Sequence, residues 1–169
     1  MSENAVSGLV LRQATPVDLP RLIAIENACF TPQEAATPAA FAQRLQCIPD
    51  SFWVAALDGR VVGLVNGPVV NERYIRDGLF RELGANPATG GHQTVLGLAV
   101  DPACRRLGLG RRLLAQLEAV ARAAQRETVT LTCLQDRVPN YEALGYANEG
   151  PSASAHAGAQ WFNTVKPLA

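Results

Sequence analysis

The stretch Val100-Asp101-Pro102-Ala103-Cys104-Arg105-Arg106-Leu107-Gly108-Leu109-Gly110-Arg111-Arg112-Leu113 joins a basic turn to two glycines that open an apolar-periodic segment. Glycine lets a backbone turn tightly and come close to a ligand. The first N–H groups of a helix lack internal partners, and the helix dipole is positive there, so phosphate oxygens match such a start. Arg105, Arg106, Arg111 and Arg112 would add charge-assisted hydrogen bonds. They cluster in a chain whose 15 basic residues are balanced by 15 acidic ones. The segment therefore predicts a pyrophosphate-binding turn, with a plain solvated basic helix start as the competing reading. Two other phosphate motifs do not fit. GxxxxGK[ST] is absent, and GxGxxG would need a small residue where Leu113 stands, with its glycines directly after the strand.

Other side chains able to do chemistry are few. His92 is one of two histidines, and in a strand it would share a face with Thr94 and Leu96. It is either a proton acceptor acting through water or an exposed histidine at a strand edge. Glu26, at the polar margin of an apolar helix face, and Glu34, in the loop after Phe30, could hold an ammonium group or act as bases; otherwise they are surface carboxylates. Cys133 invites an acyl-cysteine reading, but it alternates with Val129 and Leu131 and has no nearby histidine, so a packed core thiol is expected. Tyr141 reads from periodicity alone as a core tyrosine on a short amphipathic helix. Cys29, Cys47, Cys104 and Cys133 show no metal-ligand spacing, so no metal is expected.

The elements that must position these residues follow from pattern. Gly8 to Gln13 reads as a strand. Thr15-Pro16-Val17-Asp18 has the threonine, proline and acid of a helix start, and Leu19, Leu22, Ile23 and Phe30 give that helix its stripe. Pro38 to Leu45 allows a second helix. Phe52 to Leu57 and Arg60 to Val65 flank Asp58-Gly59, a hairpin signal. Asn71 to Gln93 is long and polar, with a possible helical turn around Ile75 to Leu83. Thr94 to Val100 is a strand and Gly108 to Ala124 a helix. Thr128 to Leu134 is a strand, Pro139 to Leu144 a short helix, and Tyr146 onward and Gln160 to Val165 two last strands. The order gives an α/β fold with one strand–helix–strand crossover at its centre.

Composition bounds the rest. The 169 residues are 48% hydrophobic and carry a formal net charge of +0. One domain is expected over residues 1–169, with a core of about 8–167. A neutral chain argues against nucleic-acid binding, and no apolar run approaches the length of a membrane helix. Dispersed cysteines and the lack of a charged-then-apolar leader point to a reduced, cytoplasmic protein. A monomer or a homodimer is equally compatible.

Arg105-x-x-Gly108-x-Gly110 after Leu98-Ala99-Val100-Asp101-Pro102 resembles the acetyl-CoA signature of the GNAT superfamily of N-acetyltransferases, Arg/Gln-x-x-Gly-x-Gly/Ala. Val138-Pro139-Asn140-Tyr141-Glu142-Ala143-Leu144-Gly145-Tyr146 resembles that family's tyrosine-glutamate-x-x-glycine-aromatic segment. The resemblance implies a mixed central sheet of about six to seven strands, flanked by about four helices, with the central parallel strands splayed. It implies acetyl-CoA as co-substrate, held by the backbone of Leu98, Ala99 and Val100 and by Arg105, Arg106, Leu107, Gly108, Leu109, Gly110 and Arg111. It further implies Tyr141 as general acid for the departing thiolate, direct attack in a ternary complex, and a small primary amine as acceptor, with Glu26, Phe30 and Glu34 on the acceptor side.

Within that superfamily the run Val138-Pro-x-Tyr141, the early Ile25-Glu26-x-Ala28-x-Phe30, the Asp58-Gly59 hairpin and the long segment before the central strand are most similar to the arylalkylamine N-acetyltransferases. Two histidines of the vertebrate members fall where Thr94 and Leu96 stand, which leaves the general base open. An acetyltransferase of protein N-termini and a non-catalytic acyl-CoA-binding module are the alternatives.

Overall fold

The computed structural model describes residues 6–80, 84–154 and 156–168. β1 (Leu9–Gln13), β2 (Phe52–Leu57) and β3 (Arg60–Asn66) form an antiparallel meander that continues into β6 (Gly97–Val100). The β2–β3 turn is the Asp58-Gly59 pair, with φ of 51° and 84°, the two positive values of a type I′ hairpin. The second sheet runs β4 (Val69–Val70), β5 (His92–Val95), β7 (Thr128–Cys133), β9 (Phe162–Pro167), β8 (Ala147–Pro151). Helices α1 (Leu19–Cys29) and α2 (Pro38–Cys47) cover the first sheet, α3 (Leu109–Ala123) packs on both, and α4 (Val138–Glu142) follows β7.

The strand expected from Thr94 to Val100 starts two residues earlier and breaks at Leu96. Its first half, β5, pairs parallel with β7 up to Val95 and Leu131. Its second half, β6, pairs antiparallel with β3, from Asn66–Gly97 to Gly63–Val100. Beyond Leu131, β7 keeps only β9 as a partner. The two central parallel strands therefore diverge, and the nine strands among the described residues divide into two sheets where the resemblance implies about six to seven in one. Gly67 makes the crossing possible: a Cβ there would lie 2.0 Å from the Thr94 carbonyl oxygen. Gln93 Nε2 donates to the Gly67 carbonyl at 2.7 Å, and Thr94 Oγ1 to that of Pro68 at 2.6 Å.

Local signals hold with one adjustment. Thr15 to Asp18 forms the capping box, but around a 3-10 turn, Pro16–Asp18, and α1 begins only at Leu19. The Asp18 carboxylate is fixed there by Arg12 at 2.8 and 2.9 Å and by the Thr15 N–H at 2.8 Å. The turn expected around Ile75 to Leu83 is a 3-10 turn, Asp77–Phe80, and residues 81–83 lie outside the described residues. Leu113, Leu114, Leu117 and Ala121 of α3 are buried as their 3.6-residue spacing requires, and they join Val95, Val129 and Leu131 in the core.

Candidate active site

Antiparallel pairing directs backbone groups alternately toward and away from the partner strand. The Asp101 N–H bonds the Val62 carbonyl at 2.7 Å. Counting back along the same register, Ala99 and Gly97 face β3, while Leu98 and Val100 turn their N–H and C=O groups toward the gap beside β7. Ala99 is thus spent on the sheet and buried, and the groups left without a strand partner belong to Leu98 and Val100. Cys29 Sγ already donates to the Val100 carbonyl at 3.1 Å.

The divergence opens a cleft of about 960 Å³, whose wall includes Leu96, Gly97, Leu98 and Val100 on one side and Leu131 and Cys133 on the other. Glu26, Phe30 and Glu34 line the same cleft, as does Arg105. A smaller cavity of about 180 Å³ lies against the start of α3, with Gly110, Arg111 and Asn140 in its wall. Leu98, Arg137 and Tyr141 belong to both cavities, so they mark the junction between the basic turn and the cleft.

The turn has the predicted build. Asp101 Oδ1 accepts the Ala103 N–H at 3.0 Å, and Arg21 fastens the same carboxylate at 2.9 Å. Arg106 and Gly108 then take left-handed φ values of 71°, and Gly108 caps α3. The first helical bond is Arg112 N–H to Gly108 at 3.1 Å, so the N–H groups of Leu109, Gly110 and Arg111 have no helical acceptor. Arg105, Arg106, Leu107 and Arg111 are exposed. Leu109 is buried and presents only its backbone here.

Tyr141 packs edge-on against Tyr146, with ring centroids 5.8 Å apart at 69°. Tyr146 is in turn anchored: its hydroxyl donates to Glu118 Oε2 at 2.7 Å, and Lys166 donates to Glu118 Oε1 at 2.9 Å and to the Leu144 carbonyl at 3.0 Å. Burial raises the Tyr141 pKa, nearby Cys133 adds to the rise, and Arg137 opposes it. The phenol is therefore protonated at neutral pH.

Glu26 is buried, with Oε2 accepting the Ala36 N–H at 2.8 Å and Oε1 unpartnered. Its pKa is raised by desolvation, against the lowering effects of the Ala36 N–H and of Arg44. Glu34 Oε1 caps the next turn, accepting from the Thr31 N–H and hydroxyl at 3.1 and 2.9 Å. His92 does not reach the cleft. Its Nδ1 pairs with Thr128 Oγ1 at 2.8 Å and its Nε2 lies 3.3 Å from Glu127. At about 3.3 Å per residue, it starts β5 roughly 13 Å before Leu96. Of its two expected neighbours on that strand face, Leu96 lines the cleft, while Thr94 is buried and bonded to Pro68. Cys133 reaches the cleft wall, but burial raises its pKa, against the lowering effect of the Thr164 hydroxyl 3.3 Å away, so it is held as a thiol. Among the described residues no group of three or more His, Cys, Asp and Glu could hold a metal ion, and no helix is long and apolar enough to cross a membrane.

A family model for acetyltransferases (GNAT family) matches residues 19–146. The chain belongs to that family. Among solved structures, the GNAT-like decarboxylase GphF in complex with isobutyryl-CoA aligns with a TM-score of 0.82 at 22% identity, over 95% of this chain and 100% of that one. Ard1 from Thermoplasma volcanium aligns at 0.74 and 19% identity, over 96% and 99%. Naa50 of Arabidopsis thaliana, in complex with the bisubstrate analogue CoA-Ac-MVNAL, aligns at 0.72 and 12% identity, over 94% and 98%. At these identities the likenesses establish the GNAT fold. No curated protein matches the chain in sequence.

Sequence reasoning passes over Arg44, Arg137, Asp77 and Ser154, which all line the GNAT cleft. Only Arg44 has a local signal, a charged residue three positions after buried Phe41 and next to buried Leu45. Asp77 arrives by a tertiary fastening. Arg73 donates twice to Glu149 of β8, at 2.8 and 2.7 Å, Tyr74 donates to it at 2.7 Å, and Ser154 Oγ donates to Asp77 at 2.5 Å. The Arg73 bonds hold the Glu149 pKa down to about 2. A depressed carboxylate pKa stabilises above its ordinary value and loses that effect as pH falls through the folded value, so the fastening persists at neutral pH and loosens toward pH 2. Exposed pairs contribute little to global stability. Glu149→Ala is accordingly expected to leave the melting temperature nearly unchanged and to speed amide hydrogen exchange in residues 71–80; unchanged exchange there would show that the fastening does not order this wall.

Proposed function

We propose that the protein transfers an acetyl group from acetyl-CoA to a small primary amine, by direct attack in a ternary complex. The observation that carries this reading is the junction: the free backbone of Leu98 and the protonated phenol of Tyr141 border both the basic turn and the cleft. Arg105, Arg106, Arg111 and the open N–H groups of α3 suit a pyrophosphate. Backbone groups of Leu98 and Val100 suit an extended pantetheine arm, and a Leu98 N–H near the thioester oxygen would stabilise its developing charge.

The amine arrives as an ammonium and yields a proton to Glu26, whose raised pKa makes it a stronger base than an exposed carboxylate. The nitrogen attacks the thioester carbon and a C–N bond forms. The C–S bond then breaks, and the leaving thiolate takes the phenolic proton of Tyr141. One of the two protons on the acylated nitrogen passes through water to the tyrosinate, the amide keeps the other, and Glu26 gives its proton to solvent, so the net release is one proton.

Covalent catalysis by Cys133 is excluded from this scheme because its thiol is buried and held protonated. Cys133→Ala is expected to retain turnover, apart from packing loss, and initial-rate patterns with acetyl-CoA and amine are expected to intersect. Parallel double-reciprocal lines, with a mass gain after acetyl-CoA alone, would overturn the scheme. Assay of free amines beside N-terminal peptides distinguishes this reading from acetylation of protein N-termini, and acetyl-CoA binding without turnover of either would mark an acyl-CoA-binding module.

A further inference from the structure

Arg44 is 3% exposed, yet it lines the cleft. Its Nη1 donates to Asn66 Oδ1 at 3.0 Å, while its Nε has no partner. Asn66 is fully buried and its Nδ2 is also unpartnered. A Cβ built on Gly97 would come within 3.1 Å of that nitrogen, which puts the amide against the strand break next to Leu98. Glu26 of α1 is 4% exposed, lines the same cleft and has an unpartnered Oε1. Among the described residues the two form no ion pair, although each charge acts on the other's titration.

Buried polar groups are normally hydrogen-bonded and buried charges paired, because an uncompensated one loses its hydration without return. Here a cation and an anion that line the cleft, with an amide behind the cation, leave two buried donors and a buried acceptor unpartnered. Arg44 also closes the last turn of α2 and sets its guanidinium 5.7 Å from the centre of the Phe41 ring, but neither contact gives its Nε or the Glu26 Oε1 a partner. A ligand with a positive and a negative group would complete both.

We propose that Arg44, with Asn66 behind it, is the anion half of the acceptor site, and that the acceptor is a primary amine carrying a carboxylate, an amino acid. The inference rests on the transfer reading above for the role of Glu26. Arg44 binds the carboxylate while Glu26 receives the ammonium, which turns the amine toward Leu98. An acyl group bearing its own carboxylate fits less well, because the Glu26 carboxylate would repel it.

The test uses matched pairs, phenylalanine with phenethylamine and alanine with ethylamine, against wild type, Arg44→Gln and Arg44→Lys, with circular dichroism to verify folding. Wild type is expected to prefer the carboxylate-bearing member of a pair by about 10- to 100-fold in kcat/KM, the contribution of one hydrogen bond between buried charged groups. Arg44→Gln is expected to erase that preference, and Arg44→Lys to keep part of it. Calorimetry of amino acids with the CoA-bound protein gives a second readout that needs no turnover. Amino acids that bind in an Arg44-dependent way without being acetylated would overturn the transfer reading and leave this site standing. Equal use of both members of each pair, or a preference that survives in folded Arg44→Gln, would overturn the site. So would Arg44-dependent carbon dioxide release from malonyl-CoA without any amine, which would assign Arg44 to the acyl group.

Discussion

Tyr141→Phe is expected to lower kcat by about 10²–10⁴-fold, the usual range for loss of a general acid, with acetyl-CoA affinity nearly unchanged. The substitution removes one oxygen and almost no volume. The ring keeps its edge contact with Tyr146, which Glu118 and Lys166 hold in place, so folding is expected to be little affected. The direction of the Tyr141 shift decides the pH behaviour. Burial raises the phenol's pKa, so wild type is expected to stay active above the ordinary tyrosine value, with a basic limb that reports that ionisation. In Tyr141→Phe the limb moves or disappears. Product release can hide a slower chemical step, so single-turnover rates are measured beside the steady state. A kcat within about threefold of wild type, with chemistry rate-limiting, would mean that water or another group protonates the thiolate; that threshold lies well below the range for a lost general acid.

Gly108→Glu is expected to weaken acetyl-CoA binding by about 100-fold or more, since it sets a negative charge where charge-assisted bonds to phosphate would form. Space alone does not forbid a side chain: a Cβ would be 3.7 Å from Arg111 Nη2, an ordinary contact. Conformation does resist one, because Gly108 caps α3 at a φ of 71°, where an L-residue is strained by about 1–2 kcal/mol. Gly108→Asn separates the two effects. Asparagine tolerates the left-handed region and adds no charge, so it is expected to keep most of the affinity. Calorimetry at increasing salt completes the measurement, because phosphate anchoring by exposed arginines is screened. A folded Gly108→Glu variant that binds acetyl-CoA as wild type does would remove the turn from the cofactor site.

Parts of this protein that depend on neighbours in sequence are legible without coordinates. The Thr15–Asp18 capping box, the Asp58-Gly59 hairpin and the buried face of α3 each follow from residues within a turn or two of one another. The same holds for the basic turn, because a helix start, its capping glycine and its arginines are one contiguous segment. Those segments were enough for the α/β order and for the GNAT resemblance that the family match supports at superfamily level.

What tertiary structure alone decided is where those segments meet. Thr94 to Val100 looks like one strand in sequence, and only its two partners, β7 before Leu96 and β3 after it, break it and open the cleft. The strand pattern puts His92 on the face of Thr94 and Leu96, but nothing local shows that Thr128 and Glu127 would occupy its ring far from the gap. Glu26, Arg44 and Asn66 come from α1, α2 and β3, and the contact between the last two spans 22 residues of sequence. Periodicity reports which face of an element is buried; it does not report which other buried face lies against it. The basic turn was therefore written in the sequence, whereas the cleft wall of Glu26 and Arg44 exists only after the two sheets have packed and parted.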